Sequence, residues 1–528
     1  MCILKIDDLC VQFHNQMPDD GAVNHLSFEV KSGEVIGITG ESGCGKTTTM
    51  RAILGLLSNN AQVSIKSMEV MGEEILRDFK SSGKEVPPEI KKLRGKVISM
   101  IFQEPAAYLD QAMTIGKQLV PTIREHKKCT KKEARVEAEE LLKKAGFENG
   151  HLVMKKYPFE LSGGMCQRAA IAIALASEPK ILIADEPVTA LDVTIQKKIL
   201  ELLRKLAKEE NLSVIFVSHD LEAAAAVCDR VLIMKDGSMK ESGNVDRIFK
   251  HPKEEYTKNM LRCAELMKKG KPVKETGKED LLTLRHVSKS YHVTEAVRDV
   301  SFSIYKGESF GLIGESGCGK TTLAKLISGL LKVDEGTICY HGEENFPSGY
   351  LRQKKCSNRI RMVFQNPLTS LNPALTVEEM LTETIRTREK NEKLRKMTRG
   401  ERKNRCLEVL RKVRLDESVL VKYPHEFSGG QRQRLAIARA LLGDPDLLIC
   451  DEAVAALDLL VQKQILDLLK EIQEKDHMTY LFISHDLNAV KYFCHRVGVM
   501  YQGRLVDIGK TDEIYRNPGH SYTKELLQ

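Results

Sequence analysis

The sequence predicts an α/β protein built from two copies of one domain, each with a parallel sheet covered by helices. The first observation behind this prediction is an internal repeat, because residues 40–48 recur unchanged at 314–322. The second is an alternation of short apolar runs, rich in β-branched residues, with amphipathic helical stretches. The two copies start 274 positions apart (314 − 40), and a repeat this long predicts two whole domains rather than a solenoid.

Three further motif pairs follow in the same order in both halves. They are Ser-Gly-Gly at 162–164 and 428–430, Asp-Glu at 185–186 and 451–452, and Ser-His-Asp at 218–220 and 484–486. We predict a first domain at 1–265, a linker at 266–280 and a second domain at 281–528. The linker is charged, is nearly free of large apolar residues and contains Gly and Pro, which is typical of a connecting segment.

Hydrophobic periodicity predicts the elements of each half. Runs 34–39, 180–184 and 212–218 are short and apolar, and we predict buried parallel strands there. Stretches 47–57 and 194–209 have helical periodicity, the latter with one continuous apolar stripe. Segments 111–156 and 377–422 have helical periodicity without strand-like runs, so we predict a helical subdomain in each half.

Composition excludes several classes of protein. The chain has 528 residues, of which 42% are hydrophobic and 29% charged, and no apolar run is long enough to cross a membrane as a helix. The first residues carry two acids where a signal peptide would be apolar, so we do not expect secretion. The 13 cysteines form no C-x-x-C pair, which favours a reduced, cytosolic protein.

Residues 40–48 and 314–322 match the loop that wraps phosphate groups (P-loop). Its glycines let backbone N–H groups turn towards phosphate oxygens, the lysine reaches the terminal phosphates and the threonine hydroxyl ligates Mg²⁺. A predicted strand before the loop and a helix after it place a positive helix end under the anion. The predicted nucleotide-binding residues are Gly40, Ser42, Gly43, Cys44, Gly45, Lys46, Thr47 and Thr48, then Gly314, Ser316, Gly317, Cys318, Gly319, Lys320, Thr321 and Thr322.

Each half also has an apolar strand that ends in two carboxylates. We predict that Asp185 and Asp451 bind Mg²⁺ together with the P-loop threonines. Glu186 and Glu452 are predicted catalytic residues that orient or deprotonate the attacking water. Acids that merely cap the next helix are the alternative, which a P-loop upstream in each half makes less favourable.

The Ser-Gly-Gly segments precede predicted helices. A serine hydroxyl and free N–H groups at a helix start can bind an anion. The same tripeptide is also an ordinary helix N-cap, so taken alone it leaves both interpretations open. The candidate binding residues are Ser162, Gly163, Gly164, Ser428, Gly429 and Gly430.

These four motifs, in this order and twice, resemble the nucleotide-binding domains of ABC ATPases over nearly the whole chain outside the linker. The resemblance implies, in each half, a RecA-like core, an antiparallel β subdomain and a helical subdomain, with ATP and Mg²⁺ as cofactors. It also implies further site residues: Gln103 and Gln365 as Mg²⁺-contacting Q-loop glutamines, His219 and His485 as catalytic switch histidines, Phe13 and Tyr291 as adenine-stacking aromatics, and 189–192 and 455–458 as D-loops. For Phe13, a place in the core is the alternative.

Such domains work as head-to-tail pairs, which implies intramolecular pairing here. Lys46 would share one ATP with Ser428, and Lys320 would share the other with Ser162. The resemblance further implies a peripheral position on the cytoplasmic face of the cell membrane, bound to two transmembrane permease subunits. An extracytoplasmic solute-binding protein would belong to the same system, and no nucleic acid is expected as a partner.

A narrower resemblance is to the ATPases of peptide and nickel importers. Residues 185–196, 366–373 and the tail 517–523 carry it, together with Met165 in the first Ser-Gly-Gly segment. It implies import of peptides, nickel or a related small solute, with two usually separate subunits joined in one chain. The departures are at 108–111, 453 and 455, and because none removes a phosphate-contacting group, we predict that both sites hydrolyse ATP.

A soluble twin-ATPase translation factor that acts on the ribosome is the alternative function. Members of that class carry a long helical arm between their domains. The stretch 262–281 is too short for a paired-helix arm and is interrupted by Gly270, Pro272 and Gly277, which disfavours this alternative.

A last expectation concerns the two cysteines inside the P-loops. A lysine and a helix N-terminus lie beside Cys44 and Cys318, which predicts thiols of lowered pKa.

Overall fold

The computed structural model describes residues 1–13, 21–81, 86–189, 191–270, 277, 279–291, 294–342, 359–364, 370–391, 394–455 and 457–527. It divides into two compact units, Met1–Leu261 and Arg262–Gln528. Residues 266–269 of the predicted linker are helical, and most of the rest of that linker lies outside the described residues. The domain boundaries therefore stay a prediction.

The first unit has two sheets. Its strands are β1 Cys2–Phe13, β2 Val23–Lys31, β3 Val35–Gly40, β4 Ala61–Val70, β5 Glu73–Ser81, β6 Ile98–Ile101, β7 Ile181–Asp185, β8 Ser213–Ser218, β9 Arg230–Lys235 and β10 Ser238–Asn244. An antiparallel sheet has the order β2-β1-β4-β5. The other sheet, in the order β10-β9-β3-β8-β7-β6, is parallel except for its β10 edge.

Helices cover this parallel sheet and form a separate helical segment. They are α1 Lys46–Ile53, α2 Pro88–Leu93, α3 Pro105–Tyr108, α4 Ile115–His126, α5 Lys131–Lys144, α6 Gly150–Val153, α7 Gly163–Leu175, α8 Val193–Glu209, α9 Leu221–Val227, α10 Val245–Lys250 and α11 Glu255–Lys269. Helices α4 to α6 lie within the segment predicted as a helical subdomain. A capping box between Thr130 and Glu133 defines the start of α5.

The second unit repeats the plan. Its strands are β11 Asp280–Tyr291, β12 Thr294–Tyr305, β13 Ser309–Ile313, β14 Glu335–Tyr340, β15 Ile360–Val363, β16 Leu447–Asp451, β17 Thr479–Ile483, β18 Arg496–Tyr501 and β19 Arg504–Lys510. Its described helices are α12 Lys320–Ile327, α13 Val377–Asn391, α14 Arg399–Lys412, α15 Gly429–Leu441, α16 Leu459–Asp476, α17 Leu487–Phe493, α18 Thr511–Arg516 and α19 Ser521–Leu527. The sheets have the orders β12-β11-β14 and β15-β16-β17-β13-β18-β19.

The predicted α/β architecture is confirmed, with a parallel core, an antiparallel sheet and a helical segment in each half. Every residue of β3, β7 and β8 is buried, as their continuous apolar runs predict. The helix expected at 47–57 ends earlier, at Ile53, because Gly55 adopts a left-handed φ of 60° and terminates it. In the part of the chain that the structure describes, no helix has the length and apolar character of a membrane span.

Candidate nucleotide-binding sites

Each P-loop connects a central buried strand to a helix. Gly45 is the N-cap of α1 at φ 97°, and Gly319 has the same role for α12 at φ 106°. A side chain at these positions would also collide with backbone, because a Cβ on Gly45 would lie 2.3 Å from the Ala22 carbonyl oxygen. Both the conformation and the close approach therefore require glycine.

The P-loop lysines lie within their own loops. The Lys46 ammonium is buried and donates to the carbonyl oxygens of Gly40 (2.8 Å) and Glu41 (2.7 Å). Lys320 donates to Gly314 and Glu315 at 2.7 Å each. Both ammonium groups are thus bonded to the loop whose sequence predicts that it surrounds the phosphates of a nucleotide.

The remaining P-loop positions lie around these lysines. Ser42, Gly43, Ser316 and Gly317 are exposed, Thr48 and Thr322 lie in the first turn of α1 and α12, and Cys44 and Cys318 are buried. Burial raises the pKa of the Cys44 thiol, although Lys46 opposes the shift. The expectation of a lowered thiol pKa at Cys44 is therefore wrong, because loss of hydration outweighs the attraction of the nearby ammonium.

The strand-end aspartates lie beside the P-loop threonines. Thr47 Oγ1 donates to Asp185 Oδ1 at 2.9 Å, and Thr321 Oγ1 to Asp451 Oδ1 at 3.3 Å. Both aspartates are buried, and burial raises their pKa against the effect of the threonine hydrogen bond. Asp185 Oδ2 is buried and has no hydrogen-bond partner among the described residues. Each half therefore brings together two oxygen donors of the kind that Mg²⁺ prefers.

The adjacent glutamates pair with the histidines. Glu186 Oε1 lies 3.3 Å from His219 Nδ1, and Glu452 Oε1 lies 3.7 Å from His485 Nδ1. Both glutamates have a left-handed φ, 47° at Glu186 and 49° at Glu452. A left-handed φ is uncommon for a residue with a side chain, and in both halves it occurs at the glutamate that pairs with the histidine. Sequence reasoning missed this conformation, since neither residue is a glycine.

These pairs shift the titration of both partners. Burial by itself raises the pKa of Glu186, but His219, Lys46 and Thr189 together more than offset it, so the pKa lies below its ordinary value. In the second unit, His485 lowers the pKa of Glu452 despite burial. Burial lowers the pKa of each histidine, but the partner glutamate and the adjacent aspartate together raise it by more, so both pKa values lie above the ordinary one. The arrangement therefore favours an ionised glutamate next to a protonated histidine.

We expect the stability that this pair contributes to depend on pH. Because the pKa of His219 is raised in the folded chain, its contribution is fully present below the ordinary value of 6.5 and is lost as pH rises through the raised pKa. His219→Gln should therefore lower Tm by about 2–4 °C at low pH and by less at high pH. Thermal melts between about pH 6 and pH 9 measure this. His286→Gln, at a largely exposed position, is the control, and a deficit that grows with pH would contradict the prediction.

Glu186 has further partners in the first unit. Its Oε2 accepts from Gln103 Nε2 at 2.8 Å and from Thr189 Oγ1 of the predicted D-loop at 3.0 Å. Gln103 thus contacts the carboxylate that is predicted to be catalytic. Gln365, Ala190 and Ala456 lie outside the described residues.

The Ser-Gly-Gly segments start α7 and α15. Ser162 Oγ accepts from the Met165 backbone N–H, and Ser428 Oγ from that of Gln431, both at 3.4 Å. The Ser428 backbone N–H donates in turn to Gln431 Oε1 at 3.1 Å, and Met165 has no carbonyl oxygen in its side chain to accept the equivalent bond. Exposed Gly163 and Gly429 follow the two serines. The N-cap interpretation therefore holds in both halves, and it leaves the exposed serines available to an anion.

Packing explains the second glycine of each segment. A Cβ on Gly164 would lie 2.5 Å from Ile195 Cγ2, and one on Gly430 would lie 2.4 Å from Val461 Cγ1.

The two candidate adenine-stacking aromatics are the last residues of β1 and β11. Phe13 is partly buried and packs against the core of the first unit, whereas Tyr291 is 45% exposed.

One further group of possible metal ligands occurs in the described part of the chain, on the first antiparallel sheet. Asp8, Cys10 and His25 lie close together, with 2.7 Å between Asp8 Oδ1 and His25 Nδ1. The second unit has the same pair with the partners exchanged, His286 Nδ1 and Asp299 Oδ1 at 2.7 Å, and a serine in the place of the cysteine. All four paired residues have a left-handed φ at strand irregularities. We therefore interpret the group as a β-bulge contact.

Comparison with known proteins gives the family. The model of the family described as "ABC transporter" matches residues 23–189 and again 297–455. The "Peptidoglycan transport ATP-binding protein YejF" of Agrobacterium fabrum is 39% identical over 99% of this chain and 96% of its own length. The "Glutathione import ATP-binding protein GsiA" of Escherichia coli K12 is 35% identical over 99% of this chain and 89% of its own.

A solved structure adds a single-cassette comparison. The cbiO1 protein from Clostridium perfringens, part of the ABC transporter complex cbiONQ, is 28% identical and covers 46% of this chain and 92% of its own, with a TM-score of 0.41. The family match in both halves and the nearly full-length relatives agree with the paired P-loops, strand-end carboxylates and histidines described above. The chain belongs to the ABC transporter family, and it is an ATP hydrolase with two ATP-binding cassettes.

Proposed function

We propose that this chain energises an ABC importer for a peptide-like small solute. The observation that supports it most directly is the nearly full-length similarity to two ATP-binding proteins named for glutathione import and peptidoglycan transport. Glutathione is a tripeptide and peptidoglycan contains peptide stems, so peptides are favoured over nickel. The same names give no support to the ribosomal alternative.

The geometry suggests how the first site performs hydrolysis. Lys46 would leave its two carbonyl partners and form charge-assisted hydrogen bonds to the terminal phosphates. Glu186, kept ionised by His219, orients the attacking water and accepts its proton. Gln103 and Thr189 hold the other carboxylate oxygen, so the base has one defined position. Glu452 and His485 have these roles in the second half.

Mg²⁺ fits the oxygen donors at each site. In the first half these are Thr47 Oγ1 and Asp185, whose Oδ2 is buried without a hydrogen-bond partner among the described residues. Burial disfavours the ionised form of Asp185, and a divalent cation would restore it. A bound Mg²⁺ would supply positive charge that offsets the negative charge of the nucleotide phosphates. We propose that Thr47, Asp185 and Gln103 would hold it in the first half, and that Thr321, Asp451 and Gln365 would do so in the second, where Gln365 lies outside the described residues.

We further propose that each ATP lies between the halves, with Lys46 opposite Ser428 and Lys320 opposite Ser162. The exposure of both serines supports this, because an N-cap hydroxyl at a positive helix end can add to a phosphate site supplied from elsewhere. Covalent linkage gives the second half an effective concentration of about millimolar, so no second chain is needed. Hydrolysis removes the shared γ-phosphate and lets the halves separate.

The partners follow from this role. We propose that the chain binds two transmembrane permease subunits at the cytoplasmic face of the cell membrane, as a peripheral subunit. An extracytoplasmic solute-binding protein would deliver the solute. The nucleotide sites supply only the energy, so the identity of the solute depends on those other subunits.

Uptake by cells tests the proposal. Deleting the gene in the organism that encodes this chain should abolish uptake of radiolabelled glutathione or of a radiolabelled peptidoglycan peptide. Wild-type chain should restore uptake, and a Glu186→Gln/Glu452→Gln chain, matched in amount, should not. Unchanged uptake of both solutes together with a defect in protein synthesis would contradict the importer and favour the ribosomal alternative.

A further inference from the structure

The helix that closes each unit contacts the P-loop through a tyrosine hydroxyl. Tyr256 of α11 accepts a hydrogen bond from the backbone N–H of Glu41 at 3.3 Å. Tyr522 of α19 accepts one from the backbone N–H of Glu315 at 2.9 Å. Glu41 and Glu315 are the second residues of the two P-loops, so the same contact occurs independently in each half.

This contact involves the residue that also holds the P-loop lysine. The carbonyl oxygen of Glu41 accepts from Lys46, and that of Glu315 accepts from Lys320, both at 2.7 Å. The tyrosine therefore restrains the loop at the residue whose carbonyl positions the ammonium group. When the lysine turns towards phosphate, this carbonyl loses its donor, whereas the N–H keeps the tyrosine.

In the first unit a carboxylate fixes the segment just before the tyrosine. Glu241 of β10 is buried and accepts from the N–H groups of Lys253 and Glu254 at 3.0 and 3.1 Å. Burial alone raises the pKa of Glu241, but these N–H groups, together with the Thr257 and Arg247 side chains, more than offset it and hold the pKa below its ordinary value. The Lys235 ammonium lies 5.0 Å from the centre of the Tyr256 ring.

The second unit builds the same support from different residues. Asp507 of β19 accepts from the N–H groups of Gly519 and His520 at 2.9 and 3.0 Å. The Tyr522 ring is 6% exposed and stacks on Tyr501 with 4.2 Å between ring centres. In both halves, a carboxylate on the last strand therefore accepts hydrogen bonds from two backbone N–H groups just before the tyrosine. The tyrosine ring in turn contacts a side chain of a nearby strand. The residues that make these contacts differ between the halves.

We propose that Tyr256 and Tyr522 are positioning residues for ATP binding, which hold the P-loop in its phosphate-binding conformation from the closing helix of each unit. The proposal rests on ATP binding at the P-loops and not on the identity of the solute or the permeases. It gives the importer-like tail 517–523, and its first-half counterpart 251–257, a physical role in the nucleotide site.

Direct binding of a fluorescent ATP analogue to the full-length chain tests this proposal. A Lys46→Ala background isolates the second site, and Tyr522→Phe then removes one hydroxyl while keeping the ring and its stacking. Loss of one hydrogen bond to the loop should raise the Kd about three- to tenfold. In the otherwise wild-type chain, with ATP varied up to saturation, Tyr522→Phe should raise KM while kcat stays within about twofold.

Tyr480→Phe is the matched control, because the Tyr480 hydroxyl is also buried and donates to the Leu469 carbonyl at 3.0 Å, away from the P-loop. It should affect stability without changing the Kd. Hydrogen exchange gives a second readout: amides in the peptide that covers 314–320 should exchange faster in Tyr522→Phe and not in Tyr480→Phe. If Tyr522→Phe left the Kd and the exchange of 314–320 as they are in the parent chain, the proposal would be overturned. An equal rise in Kd for Tyr480→Phe would also overturn it.

Discussion

A chain that carries both Glu186→Gln and Glu452→Gln should lose about 10²–10⁴-fold in ATP turnover while still binding ATP. Glutamine keeps the size of the side chain and still accepts the hydrogen bonds that reach Glu186 Oε2 from Gln103 and Thr189. It cannot accept a proton from water, so the loss falls on the chemical step. Phosphate release in the steady state and binding of a fluorescent ATP analogue measure the two properties separately.

The single variants test whether both sites work. Because each half has its own carboxylate–histidine pair, Glu186→Gln alone and Glu452→Gln alone should each lower the turnover. Glu74→Gln, on the exposed strand β5, is the control that should leave it unchanged. An unchanged rate in either single variant would show that the site concerned does not hydrolyse ATP.

Pairs of substitutions should reveal which P-loop shares its nucleotide with which serine. In the Glu186→Gln/Glu452→Gln background, Lys46→Ala with Ser428→Arg should damage one composite site and leave the other intact. That chain should retain about one occluded nucleotide, because one set of charge-assisted contacts is complete. Lys46→Ala with Ser162→Arg should damage both sites and retain none. Nucleotide that remains after rapid desalting measures the difference.

The two chains are matched controls for each other. Each carries one P-loop change and one change at an exposed helix N-cap, so the expected losses of stability are similar. If each P-loop were instead completed by the serine of its own half, the result would be reversed. Retention by the Ser162→Arg chain and loss by the Ser428→Arg chain would therefore refute the proposed pairing.

Part of the site could be predicted from the sequence because it is built locally. Gly45, Lys46 and Thr47 are neighbours in one turn between a strand and a helix, so their spacing alone predicts a phosphate-binding loop. The continuous apolar runs of β7 and β16 likewise predict buried parallel strands that end in carboxylates. Such features depend on residues a few positions apart, and the repeat provided each of them twice.

Other features depend on contacts between distant segments and on the removal of water. The pKa of Cys44 rises because the folded loop buries the thiol, a desolvation that no local pattern reports. The sequence indicates Glu186 and His219 as candidate site residues, but only the fold shows that they are in contact and that Glu186 has a left-handed φ.

The sequence by itself determined the tandem α/β organisation, the phosphate loops and the carboxylates at the strand ends, since periodicity and short motifs specify them. The tertiary structure decided which carboxylate pairs with which histidine, that the Cys44 thiol is buried, and that the Tyr256 and Tyr522 hydroxyls contact Glu41 and Glu315. The physical reason is range: a turn or strand is specified by neighbours along the chain. Hydrogen bonds and desolvation across hundreds of residues exist only once the chain has packed.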